Sequence, residues 1–340
     1  MKYVAIVFLL FGLSLNSNSA ELEHPLFRSS PNPKYSTFNP APTASEFKAA
    51  ESYGKFTIKK WSHKIARYII RFVNYQPKQD DNFNISEITT GNKKSIIVEP
   101  KKRLAQGAIF FIHGGGLVAG SNKDVLKHAY YWAKELGVLV ILPSYSLSPQ
   151  HPFPTAQDDL HKTWHWLLSN SSKLKIDPNK IIIAGTSAGG GLATTLAQRL
   201  YDEKGIQPAA QLLIYPMLDD RTATRTDIGD IKHLVWNNRS NYFGWSSYLS
   251  KEPGTFVPPK YSVAARRKDL RGLPPTWIGV GNADLFIDED REYAKRLREA
   301  GVDVTYIEVD GGVHAFDNMK GPVGDAFRRE HTKFAKRFIK

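Results

Sequence analysis

The residues best placed to do chemistry are Gly185-Thr186-Ser187-Ala188-Gly189, which follow the apolar run Ile181-Ile182-Ile183-Ala184 and precede Leu192, Leu196 and Leu200 at helical spacing. A serine on a sharp strand-to-helix turn presents its hydroxyl at the edge of a sheet, and glycine at the flanking positions avoids the collisions that such a turn creates. The helix that follows directs its positive end toward developing negative charge. Alone, the five-residue pattern is common by chance, so the strand before it and the helix after it carry the inference. The chemistry implied is nucleophilic attack by Ser187.

Attack on an ester carbonyl creates a tetrahedral oxyanion that needs about two or three N–H donors, each worth ~3 kcal/mol. His113-Gly114-Gly115-Gly116, directly after Ile109 to Ile112, supplies bare glycines whose backbone can converge on such an oxygen. Gly115, Gly116 and Ala188 are the expected donors, and His113 is read as orienting the loop rather than as a base. A tight turn or a phosphate-binding loop could use the same glycines, but no lysine follows as in a P-loop.

The serine also needs a base and an orienting acid, in the chain order Ser, acid, His, each just past a strand. Asp284 ends the run from Trp277, and His314 follows Asp310-Gly311-Gly312-Val313 past the next strand. Asp288, Glu289 and Asp290 are competitors for the acid, yet they read better as acids opening a helix. His161 and His165 lie four apart on one helix, but no Glu stands in the metalloprotease position and no third ligand is visible. No metal and no cofactor are therefore expected. Trp164 and Trp166 in the same helix read as packing residues.

These side chains require a sheet. Short edge strands are predicted at Ile85 to Thr89 and Ser95 to Val98, and apolar runs then alternate with helical segments. The runs are Ala108 to Ile112, Val138 to Leu142, Lys180 to Ala184, Ala210 to Tyr215, Thr276 to Val280 and Val304 to Val309. Between them, helices are predicted over Lys123 to Glu135, Gln157 to Leu168, Gly190 to Lys204 and Asp288 to Ala300. Such alternation, with strands apolar along their whole length, means a parallel sheet covered on both faces.

The 340 residues, 41% hydrophobic and 12% aromatic, can bury one large core. There is no cysteine, which excludes disulfides, Cys-ligated zinc and thiolate catalysis. Met1-Lys2-Tyr3, the apolar run Val4 to Leu15 and small residues up to Ala20 have the order of a secretory signal peptide cleaved after Ala20. The run falls short of the roughly 20 apolar residues that span a bilayer, so no stable membrane insertion is expected after cleavage. Residues 21–45 are rich in proline and read as an extended leader that resists helix and sheet, and apolar spacing from Ser45 to Tyr75 suggests two amphipathic helices. The net charge of +13 includes Arg266-Arg267-Lys268 and the stretch Lys333 to Lys340, but no aromatic-interleaved nucleic-acid motif accompanies them, and the charge reads as a solvated surface.

Several further segments stand in a familiar order. Ser144-Tyr145-Ser146-Leu147-Ser148-Pro149-Gln150-His151-Pro152-Phe153-Pro154, then Asp158-Asp159, Leu213-Ile214-Tyr215-Pro216, Asp284 to Glu289 and His314-Ala315-Phe316 join the two glycine motifs. Together they resemble the hormone-sensitive-lipase-like (family IV) carboxylesterases of the α/β-hydrolase fold, in a G-T-S-A-G variant. The resemblance covers about residues 101–316. It implies an α/β class with a mostly parallel central sheet, helices on both faces and a helical cap. It also implies the triad Ser187, Asp284 and His314, with Gly115, Gly116 and Ala188 as oxyanion donors. The cap would combine residues 21–84 with a second segment at about 221–260 of the catalytic domain, residues 85–340, and Trp236, Tyr242 and Trp245 would line a substrate pocket. The activity implied is hydrolysis of short- to medium-chain carboxylic esters. Deacetylation of acetylated sugars or xenobiotics by the same triad, or ligand binding on an inactive scaffold, are the alternatives. The partner is a small-molecule ester; a homo-oligomer is left open, and export places the chain in the periplasm or outside the cell.

Three departures from the family pattern stand out. Thr186 replaces the common Asp, Ser146 and Gln150 replace Arg and Glu, and Gly191 replaces Asn. Without the Arg and Glu, the loop around Ser146 must be held in another way.

Overall fold

The computed structural model describes residues 22–31, 34, 41–52, 57–59, 62, 82–229 and 233–340. The signal-peptide region and most of the two helices expected before Tyr75 lie outside these residues. The part that is described there, Ser45–Ser52, forms a 3-10 helix whose Phe47 packs on Phe316 with ring centroids 5.5 Å apart.

Nine strands make one sheet: β1 (Phe27–Arg28), β2 (Phe83–Thr90), β3 (Lys93–Pro100), β4 (Ala108–Ile112), β5 (Leu139–Leu142), β6 (Ile181–Thr186), β7 (Ala210–Ile214), β8 (Thr276–Gly281) and β9 (Val304–Val309). Their spatial order is β1-β9-β8-β7-β6-β4-β5-β3-β2. Strands β4 to β9 run parallel, while β1, β2 and β3 pair antiparallel. The central strands β4, β5, β6, β7 and β8 are buried at every position. That is why their sequences do not alternate: each face lies under helices, and each Ile, Val or Leu removed from water contributes about 1.5–3 kcal/mol.

Two expectations need correction. Of the predicted edge strands only β2 is an edge, because β3 sits between β2 and β5 and its Ser95 to Val98 are buried. The proline-rich leader, expected to avoid the sheet, enters it at Phe27–Arg28, paired with Val309 and Glu308. Phe27 is buried against Phe327, and Arg28 pairs with Asp310 at 2.8 Å, so two residues gain enough at an edge where the flanking prolines, Pro25 before and Pro31 after, cost no ladder bonds.

The helices are α1 (Leu126–Leu136), α2 (Thr155–Ser169), the single turn α3 (Ser171–Leu174), α4 (Ala188–Asp202), α5 (Asn238–Leu249), α6 (Ile287–Glu299) and α7 (Pro322–Ile339). Polar bonds tie them into two layers. Trp132 of α1 donates to His331 of α7 at 3.1 Å, whereas Gln157 of α2 bonds to Leu192 O of α4 and Gln198 of α4 to Tyr293 of α6, both at 3.1 Å. Helix α7 contains the basic stretch that reads as surface, and its other face buries Phe327, His331 and Phe334. Among the described residues, no helix is long and apolar enough to cross a membrane.

Candidate active site

Strand β6 ends at Thr186, and Ser187 turns the chain into α4 with φ 53° and ψ −124°. A non-glycine residue with positive φ is strained, and such strain concentrates at functional sites. The turn is tight: a Cβ on Gly189 would lie 2.2 Å from Ile112 O. Only a bare α-carbon lets α4 start against the end of β4.

Ser187 Oγ donates to His314 Nε2 at 3.0 Å, and His314 Nδ1 donates to Asp284 Oδ2 at 2.8 Å. The second oxygen of Asp284 accepts from Phe286 N at 3.0 Å, which fixes the carboxylate. Asp284 lies just past β8 and His314 just past β9. The imidazole is gripped edgewise by Tyr215 and Phe286, with ring centroids 4.9 and 5.3 Å away. All three triad candidates are buried.

The glycine loop faces the same serine. Gly114 approaches so closely that a Cβ there would lie 3.1 Å from Ser187 Cβ. Gly116, at φ +60°, lies under Trp236, whose ring would be 2.0 Å from an added Cβ. Neither Gly115 nor Gly116 donates its N–H to another described residue, and Ala188, first in α4, has no N–H acceptor within the helix. His113 stacks on Tyr145 at 4.2 Å and donates to Gly114 O at 2.8 Å. Burial, partly offset by that bond, lowers its pKa to about 4, so it stays neutral and holds the loop.

The departures have local answers. Ser146 donates to Asp159 through both N and Oγ, at 2.9 and 2.6 Å, and so anchors the loop that lacks Arg and Glu. Gly191 lies where a Cβ would be 2.1 Å from Met217 O, so the segment after β7 sits too close to α4 for Asn. Thr186 flanks Gly114, its Oγ1 3.2 Å from the position of an added Cβ.

Two cavities flank Ser187. One of about 190 Å³ is lined by polar groups that include Asp124, His128, Thr186 and Asn318. The other, about 10 Å³, is an apolar slot behind Ala188, among Gly191, Met217, Trp245 and Tyr248. A larger cavity of about 420 Å³ lies between α6 and Pro31, away from the serine. Trp236 lies over Gly116, and Trp245 lines the slot behind Ala188. Tyr242 does not line either flanking cavity: α5 buries Asn241, Trp245 and Tyr248 on one face, and Tyr242 is 41% exposed on another.

Sequence reasoning missed a second buried pair. His128 on α1 contacts Asp317 at 2.8 Å, and Tyr215 donates to the other oxygen at 2.7 Å. Burial opposes ionisation of Asp317, yet bonds from His128 and Tyr215, helped by Arg328, hold its pKa at about 2. Asp288, Glu289 and Asp290 all open α6 as read from the sequence, and Asp288 pairs with Arg225 at 2.8 Å. Glu289 turns inward and accepts from Leu218 N at 2.6 Å and from Thr222, fixing the strap after β7, and Asp290 is fully buried. The third ligand that the sequence did not show beside His161 and His165 is Glu203, at the end of α4.

This nucleophile turn, charge pair and glycine loop on a doubly covered parallel sheet define an α/β hydrolase. The family model described as the alpha/beta hydrolase fold matches residues 109–318, and the chain belongs to that family. An ethyl acetate hydrolase of Pseudomonas putida is 32% identical over 234 residues, covering 66% of this chain and 70% of that one. An arylacetamide deacetylase of Bos taurus is 27% identical over 311 residues, covering 72% and 77%. Among solved structures, a bacterial heroin esterase superposes with a TM-score of 0.79 at 26% identity, over 88% of this chain and 98% of that one. Matches span 65% to 82% of the length of curated relatives such as these. The resemblance to hormone-sensitive-lipase-like carboxylesterases is borne out.

Proposed function

We propose that the protein is a serine carboxylesterase acting on small carboxylic esters, with Ser187 as nucleophile, His314 as base and Asp284 as its orienting acid. The observation that carries this reading is the unbroken line Ser187–His314–Asp284, at 3.0 and 2.8 Å, beside the unpartnered N–H groups of Gly115 and Gly116. His314 takes the Ser187 proton as Oγ attacks the carbonyl carbon. The oxyanion is received by the N–H groups of Gly115, Gly116 and Ala188. His314 then returns the proton to the departing alcohol, leaving an acyl-enzyme that water, deprotonated by the same imidazole, hydrolyses.

The cavity of about 190 Å³ that Gly115 and Ser187 line has room for a small ester rather than for a long acyl chain. The segment around Trp236 and α5 acts as the cap, since it packs on the oxyanion loop through Gly116. The deacetylase relative favours a second reading in which the same triad removes acetyl groups from larger molecules. The run from Val4 to Leu15 supports export to the periplasm or beyond.

A series of p-nitrophenyl esters from acetate to decanoate, run beside an N-aryl acetamide, tests these readings. Highest kcat/KM on acetate to butyrate is expected. Highest turnover on decanoate refutes the short-acyl assignment, and faster cleavage of the acetamide than of any ester selects the deacetylase. Failure of a fluorophosphonate to label Ser187 in the folded protein removes the serine mechanism itself and restores the inactive-scaffold alternative.

A further inference from the structure

Away from the triad, helices α2 and α4 run side by side and in the same direction. Gln157 meets Thr195, Asp158 meets Arg199 at 2.8 Å, and His161 meets Glu203 at 2.8 Å. At the end of this line His165, one turn beyond His161, brings its Nε2 to 3.0 Å from that of His161 and 3.9 Å from Glu203 Oε2. Three ligand atoms of metal-binding type therefore converge on the protein surface.

A single proton on His161 Nε2 serves this cluster only by being shared between Glu203 Oε2 and the lone pair of His165 Nε2. His161 Nε2 is within hydrogen-bond distance of both Glu203 Oε2 and His165 Nε2, and a ring nitrogen carries one proton or none. If it donates to the carboxylate, it has no lone pair to accept from His165. If it accepts from His165, its lone pair faces the carboxylate oxygen. A cation takes a lone pair from all three at once. Ligands around a tetrahedral zinc, with bonds of about 2.0–2.1 Å, lie roughly 3.3 Å apart, and the separations of 2.8, 3.0 and 3.9 Å bracket that spacing.

The surroundings agree. The neighbouring cation Arg199 is occupied by Asp158 at 2.8 Å and by the other oxygen of Glu203 at 2.9 Å. With Asp158 and Glu203 against Arg199, the local charge is net negative, and Glu203 Oε2 remains directed at the histidines.

We propose that His161, His165 and Glu203 form a binding site for a late first-row divalent cation of the zinc type, completed by solvent. Two imidazoles and a carboxylate select such ions over Mg²⁺ and Ca²⁺, which prefer all-oxygen sets. The site staples the middle of α2 to the far end of the helix that begins at Ser187, and it needs no part in ester cleavage.

The test uses the full chain freed of metal with a chelator, then titrated with Zn²⁺ against a chromophoric competitor, with excess Mg²⁺ present. One Zn²⁺ per chain, with a dissociation constant of micromolar or below and no competition from Mg²⁺, is expected. His165→Ala and Glu203→Gln should each weaken that binding at least tenfold while fluorophosphonate labelling of Ser187, the check on folding, is retained. Absence of stoichiometric binding by the wild type overturns the site. So does displacement by Mg²⁺, or unchanged affinity in both variants when they still label.

Discussion

Two histidine–aspartate pairs lie on either side of Tyr215, each at 2.8 Å, and only one of them has a nucleophile. His314 offers Nδ1 to Asp284 and leaves Nε2 facing Ser187. His128 offers Nε2 to Asp317 and leaves Nδ1 buried with no hydrogen-bond partner among the described residues. The distances are the same, so distance does not make a pair catalytic. What differs is the support. His314 stands on a loop past the end of a strand, where its second nitrogen reaches the edge of the sheet, whereas His128 stands on a helix packed against Phe111 and Trp132. Tyr215 joins the two pairs, donating to Asp317 while its ring steadies His314.

The comparison can be broken from either side. Asp284→Asn should lower kcat on p-nitrophenyl acetate by roughly 10⁴-fold, because the imidazole loses its orienting acceptor, while the thermal midpoint stays near that of the wild type. Asp317→Asn should do the reverse: less than a tenfold change in kcat, but a loss of about 2–3 kcal/mol in urea denaturation, since a buried ionised acceptor with several donors is removed. Equal kcat losses in the two variants would show that the pairs act as one unit.

Tyr215→Phe keeps the ring and removes the hydroxyl's bonds to Asp317 and Asn318. About 1 kcal/mol of stability should be lost, with kcat falling a few-fold if the steadying of His314 depends on those bonds. A separate effect, small near neutral pH, is on the pH dependence of stability. His113, at about 4, and His331, also lowered by burial, are neutral in the native state, whereas in the unfolded chain they protonate near 6.5. Their contribution is therefore complete above about pH 6.5 and is lost as pH falls, His113 giving up to about 3 kcal/mol by pH 4. Denaturation midpoints at pH 7.5, 5.5 and 4.5 should decline in the wild type and decline less in His113→Asn.

The catalytic pair was legible in sequence and the buried pair was not, and the reason is local. Ser187, Asp284 and His314 each follow an apolar strand at a short, fixed distance, so strand recognition alone places them at one edge of the sheet. His128 and Asp317 are 189 residues apart, and neither follows a strand end at such a spacing. Their meeting depends on how α1 packs across the sheet. The same holds for Glu203, whose approach to His161 requires α2 and α4 to run side by side, and for Glu289, which resembled any other helix-opening acid until its helix was packed. Tyr242, which the resemblance put at the pocket, stands on an exposed face of α5, a placement decided by the rotation of the helix.

The pairing of Phe27–Arg28 with β9 also sets an order in time. Asp310 N bonds to Leu26 O at 2.8 Å and Ala44 N to Gly311 O at 3.3 Å, so the loop that ends in His314 is braced by the leader. Those leader residues leave the ribosome long before Val304 to His314 exist. The first part of the described chain to be synthesised is thus among the last to dock, and the histidine gains its brace only when the remainder of the sheet is already in place.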